Sequence, residues 1–198
     1  MKHIILSTAL LLCSYFVIGQ ENEERHILKT DSLWAKEIFE LPTGFAREMT
    51  LTGFEDASFP KGWSDPESPA MWSYIFAWSA SEEKMVPTQE IIDNLELYFD
   101  GLMDVRKDTL IAGKIPTIAL LVENTSAEDV LTYTGKVRTF DRFRSNEMMT
   151  LHLLAEQYYC KKEKRTIIVF RFSPKSLDHS IWELLKGVQL IADACERK

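Results

Sequence analysis

The chain has 198 residues, 45% hydrophobic and 27% charged, and its 23 Lys and Arg against 30 Asp and Glu leave a net charge of −7. These figures exclude an intrinsically disordered chain, a collagen-like repeat and a polytopic membrane protein. They also argue against nucleic acid as a partner, because there is no surplus of positive charge to neutralise phosphates.

Met1-Lys2-His3 is a short positive start, and Ile4 to Ile18 is an apolar run interrupted by Ser7, Thr8 and Ser14. The run falls short of the roughly 20 residues that span a bilayer. Residues 1–19 are therefore expected to be a secretory signal cut after Gly19, sending the protein to the periplasm or the exterior with no transmembrane segment left after cleavage. The cut would remove Lys2 and Cys13, taking the net charge from −7 to −8 and leaving Cys160 and Cys195. In an oxidising compartment that pair is expected to form a disulfide, with two buried free thiols as the alternative.

Residues 20–30 read as a flexible polar lead, and residues 31–198 as a single domain without repeats or linkers. Thr30-Asp31-Ser32 predicts the cap of a short helix through Trp34 and Ile38, ended before Pro42. Met49 to Phe54 looks extended. Pro60, Gly62, Pro66 and Pro69 mark a long loop around Trp63. Trp72, Tyr74, Phe76 and Trp78 then recur at every second position, which predicts a strand.

Pro87-Thr88 opens a helix on which Ile91, Ile92, Leu95, Tyr98, Phe99 and Leu102 share one face, with Asp93, Glu96, Asp100 and Asp104 on a face expected to be solvated. Strands follow over Pro116 to Val122, Val130 to Phe140, Met148 to Tyr159 and Thr166 to Phe172, the last two joined as a hairpin through Lys161 to Lys164. Ser180 and Glu183 form a capping box at the head of a final helix, whose apolar stripe runs from Ile181 through Leu184, Leu185, Val188 and Ile191 to Cys195.

These elements predict an α+β fold, a mainly antiparallel sheet of about five to six strands in the order β-β-α-β-β-β-β-α, covered by helices. Thr166 to Phe172 is apolar on nearly both faces, so cover on both sides is expected. The order resembles that of the PsbP/Mog1-type α/β/α sandwich over about residues 45–195. The resemblance implies a fold only and brings no functional residue with it.

The ligand-binding candidates are Lys61 and Trp63 in the proline-rich loop, Trp72, Tyr74 and Trp78 in the aromatic stripe, and Arg142 beside Arg138, Asp141 and Arg144. An aromatic stripe at this spacing also fits the buried face of a sheet. His26 and His179 are expected to be exposed, and His152, alternating with Leu151 and Leu153, to be a structural histidine too far from Glu156 for a direct pair. Ser58 and Lys61 have S-x-x-K spacing, but Pro60 and Gly62 argue against the helical turn that motif needs. No metal-ligand spacing or cofactor motif is present, so neither a metal nor a cofactor is expected. The expected role is non-catalytic binding of a glycan or protein partner. The alternatives are a small hydrolase seeded by His152 and Glu156, or an accessory protein docking on an envelope partner.

Overall fold

A computed structural model describes residues 25–105, 115–127 and 130–197. The expected signal at residues 1–19 and the start of the polar lead lie outside the described residues. Seven strands form one antiparallel sheet: β2 (Ala35–Leu41), β3 (Gly53–Phe59), β4 (Tyr74–Ala80), β5 (Ile118–Ala127), β6 (Val130–Phe140), β7 (Met148–Cys160) and β8 (Arg165–Ser173). Their spatial order is β2-β3-β4-β8-β7-β6-β5. A two-stranded sheet pairs β1 (Leu28–Lys29) with β9 (Gln189–Leu190). The helices are α1 (Thr88–Leu102) and α2 (Ile181–Lys186).

β4 and β8 lie side by side at the centre, and alternation along them feeds two cores. One face carries Tyr74, Phe76, Trp78, Ile168, Phe170 and Phe172, and packs beneath Ile91, Leu95, Tyr98 and Phe99 of α1. The other carries Ile75, Ala77, Ile167 and Val169, which meet Trp182 and Leu185 of α2 and Ile27 and Leu28 beside β1. The expected two-sided cover is present.

Six expectations are corrected. The residues read as a helix through Trp34 and Ile38 instead form a turn and β2. Asp31 accepts from the backbone N–H groups of Leu33 and Trp34, and every residue of Ala35–Leu41 pairs with β3. Ala, Lys, Glu and Leu favour helix locally, and strand pairing overrides that preference. This adds the seventh strand to a sheet expected to have five or six. The aromatic stripe begins as a strand only at Tyr74, because Trp72 has φ 55°.

The final helix stops at Lys186, after which Gln189–Leu190 pairs with β1, so the expected stripe is divided among α2, β9 and a 3-10 turn at Ala194–Glu196. Ser180 makes no side-chain cap. The His179 ring accepts the Ile181 N–H, and Leu184 faces solvent at 47% exposure. The acidic face of α1 is only partly solvated: Asp100 accepts the Thr117 N–H at 2.7 Å and Glu96 the Ala119 N–H at 3.0 Å, tying the helix to β5.

A buried arginine shapes the second face. Arg171, 3% exposed, donates to the Leu185 and Val188 carbonyls and to Glu156. It thereby adds a second donor to the Leu185 carbonyl, which also accepts the Val188 N–H, and reaches the Val188 carbonyl just beyond α2. Cys160 at the end of β7 and Cys195 in the final turn are joined as a disulfide.

Candidate functional site

A cavity of about 380 Å³ lies where β2, β3 and β4 meet the C-terminal part of α1 and two loops. Its floor is Ala57 of β3 with Phe59, Tyr74 and Phe76. The register sets Ala57 between Glu37 and Phe76, and its single methyl leaves the space that larger neighbours would fill. Glu37 and Phe39 of β2 form one wall, and Tyr98 and Leu102 of α1 with Phe45 another. Phe45 reaches this position because its backbone passes against Gly101, where any Cβ would collide with the Phe45 carbonyl.

The remaining wall comes from two loops. Trp63, Ser64, Met71 and Trp72 belong to the segment between β3 and β4, and Phe143 and Arg144 to the turn between β6 and β7. The first loop folds back on itself at Gly62, whose φ of 86° and contact with Ser68 leave no room for a side chain. Trp63 packs at a tilt against Phe59, 4.5 Å between ring centroids, and the Trp72 ring lies 6.2 Å from that of Phe143. Trp72 holds a left-handed backbone that a bulky residue rarely adopts. Its N–H, donating to the Trp63 carbonyl at 2.8 Å, helps to keep it there. Strain of this kind concentrates at sites where a side chain must be aimed.

Nine of the lining residues are aromatic. Two of them carry a buried polar tip without a hydrogen-bond partner among the described residues: the Tyr74 hydroxyl and the Trp72 indole N–H. Leaving such a group unpaired costs about 1–3 kcal/mol. A ligand with a polar atom at these points would remove that cost.

Behind the wall lies Glu55, fully buried, which accepts from Trp78 Nε1 and from the Tyr98 hydroxyl, each at 2.9 Å. Burial pushes its carboxyl up to about 7, against the two hydrogen bonds that favour the ionised form, with Asp56 and Glu37 adding repulsion. No Lys, Arg or His bonds it among the described residues. Burial also raises Tyr74 and Tyr98 above the ordinary phenol range, with Glu55 contributing.

Glu55 makes stability depend on pH. The folded state holds this proton more tightly than the unfolded chain, whose carboxyl has its ordinary value of 4.5. The penalty is absent below that value, grows as pH rises and is complete above about 7. It amounts to about 3 kcal/mol by linkage. Urea unfolding of Glu55→Gln is expected to lose most of the decline in stability that the wild type shows between pH 5 and 8. An unchanged slope would place the titration elsewhere.

Of the residues singled out from sequence, Trp63, Trp72 and Tyr74 converge on the cavity. Lys61 is exposed and does not line it. Trp78 is wholly buried one row away, holding Glu55. Arg142 points elsewhere, 5.4 Å from the Phe143 ring and 3.9 Å from Asp104. Asp141 is spent on the N–H groups of Phe143, Arg144 and Ser145, and Arg144 donates to the Ser64 carbonyl, so the cluster does not converge on one ligand site. Glu156 accepts from Arg171 and Tyr158, not from His152. Desolvation and Lys136 push the His152 ring below its usual range. His26, expected to be exposed, bonds buried Asp56 at 2.9 Å. Ser58 is buried on the face away from the cavity.

Glu37, Phe39, Phe45, Glu55 and Tyr98 were not read as site residues from sequence. Glu37 and Glu55 carried one signal, an acidic residue on a strand that also carries large apolar ones, and Phe39, Phe45 and Tyr98 carried none that set them apart from core aromatics. Comparison of the chain with protein-family models, with curated proteins and with solved structures found no match.

Proposed function

We propose that the protein is an exported, non-catalytic binding domain whose aromatic cavity holds one small, largely apolar molecule. The observation that carries this reading is a cavity of about 380 Å³, within the size range of small-molecule sites, whose aromatic lining includes two unpartnered polar tips. A glycan fits less well, because its many hydroxyls would meet few polar groups in this lining. Export is supported by the apolar N-terminal run and by the Cys160–Cys195 disulfide. The proposed likeness to the PsbP/Mog1-type sandwich rests on the antiparallel sheet with a helix on each face, and no functional residue comes from it.

A thermal-shift screen of small apolar and aromatic compounds on the mature protein tests the reading, since a ligand bound to the folded state alone must raise the melting temperature. Ala57→Leu, which fills the floor, is expected to abolish the shift while leaving the unliganded melting temperature equal or higher. Trp63→Ala should weaken binding about tenfold by removing a stacking face. Shifts that survive Ala57→Leu would place the ligand outside the cavity.

A second reading, docking on a protein partner, is favoured by one feature. Ile118, Leu120 and Val122 stand more than half exposed on the edge strand β5. Leu120→Lys should abolish a protein complex and leave cavity binding intact.

A further inference from the structure

The cavity combines aromatic faces with carboxylates on one side only. Glu37 of β2 lines it directly, and Glu55 of β3 lies one row behind, opposite Phe39 in the strand register and bonded to Tyr98, itself a lining residue. Both carboxylates belong to the β2–β3 wall. The cationic side chain of the lining, Arg144, comes from the loop between β6 and β7, and its guanidinium donates to the Ser64 carbonyl.

Glu55 is the unusual member. A fully buried carboxylate is ordinarily paired with a cation, because desolvation otherwise makes its charge costly. Here its partners are an indole and a phenol, both neutral donors. Phe39, Phe59, Trp63, Tyr74 and Tyr98 line the cavity, and an aromatic ring offers a cation the negative side of its quadrupole wherever its face is reached. An aromatic enclosure with carboxylates on one wall attracts positive charge and resists an anion.

Resting on the cavity reading above, we infer that the ligand is an organic cation with an apolar body, an amine or quaternary ammonium whose charge sits against the β2–β3 wall. The apolar body fills the space over Ala57 and stacks on the loop tryptophans. The charge is balanced by Glu37 directly and by Glu55 through the low-dielectric wall, where ionic attraction is weakly screened. The bound cation thereby supplies the counter-charge that Glu55 otherwise lacks.

Three probes of similar size test this on the full chain: phenyltrimethylammonium, its neutral isostere tert-butylbenzene, and the anion benzenesulfonate. Binding is read at pH 8 by quenching of tryptophan fluorescence and by thermal shift, since Trp63 and Trp72 line the cavity. The cation is expected to bind about tenfold more tightly than the neutral isostere, and the anion more weakly than either. Glu37→Gln and Glu55→Gln should each reduce the cation-to-neutral ratio about threefold. A far-UV circular dichroism spectrum matching the wild type shows that each variant still folds. Equal or tighter binding of the neutral isostere, or a ratio unmoved by both carboxamides, would overturn the cation and keep the cavity. Failure of every probe to bind would overturn both readings.

Discussion

Asp56→Ala is expected to lower the free energy of unfolding by about 3–5 kcal/mol, a large part of the 5–15 kcal/mol that holds a typical domain together. Asp56 is fully buried on β3, on the face away from the cavity. One carboxylate oxygen, Oδ2, accepts the N–H groups of Ile27 and Leu28 at 2.7 and 2.9 Å, and Oδ1 lies 2.9 Å from His26 Nδ1. Truncation removes all three bonds and strands two buried backbone donors, whose desolvation is then uncompensated. Because these bonds anchor the start of β1, the loss should spread to β9 and to the cover over Ile75 and Val169. Urea unfolding measures the change in stability, and amide hydrogen exchange at Ile27 and Leu28 should accelerate more than exchange in β4. Asp56→Asn should fall between wild type and alanine, since its amide keeps one acceptor but turns a donor toward other donors. A loss below about 1 kcal/mol would show that β1 docks through its apolar residues alone.

Breaking the Cys160–Cys195 disulfide is the other large effect. The two residues lie 35 apart in sequence. A closed loop of that length stabilises by restricting the unfolded chain, and removing the link should cost about 2–4 kcal/mol. Cys195→Ser, or reduction of the wild type, should lower the urea midpoint accordingly. Alkylation followed by intact-mass measurement should find neither thiol modified until a reductant is added; two freely modified thiols would overturn the bridge. Both Asp56 and the disulfide secure the β1–β9 layer, one at β1 and the other just after β9. The double variant should therefore lose less than the sum of its parts, because once the layer is free the second restraint has little left to hold.

Much of the fold was readable because its elements carry periodic signals. The boundaries of β6 and the charged turn between β7 and β8 fell where the sequence placed them, and α1 began at Thr88 as expected. Residues 161–164 are a charged link between two strands too apolar to be anything but paired. Residues 35–41 were misread for a reason of the opposite kind. Ala-Lys-Glu-Ile-Phe-Glu-Leu has helix-forming composition, and only the presence of β3 alongside makes it a strand. The last helix was overextended because its apolar spacing continues past Gly187, while pairing of Gln189–Leu190 with Leu28–Lys29 interrupts it.

For the site, the sequence marked a proline-rich loop around Trp63 and an aromatic stripe as neighbours. Half of the cavity follows from these, since both segments flank it. Trp78 was grouped with its stripe, but period-two alternation does not say where along a strand the covering helix ends. The structure buries Trp78 against Glu55 and Tyr98 and places Tyr74, also buried, on the cavity floor.

By itself, then, the sequence determined the class of chain, the antiparallel character of its later strands, the amphipathic α1 and the aromatic segments that matter. Those properties depend on composition and on periodicities of two and 3.6, which are local. Only the tertiary structure decided that Glu37 and Glu55 share a wall with those aromatics, that Ala57 leaves the space between them, and that Glu55 is buried without a cation. These facts arise from strand register and from where α1 stops, and no single segment encodes either one.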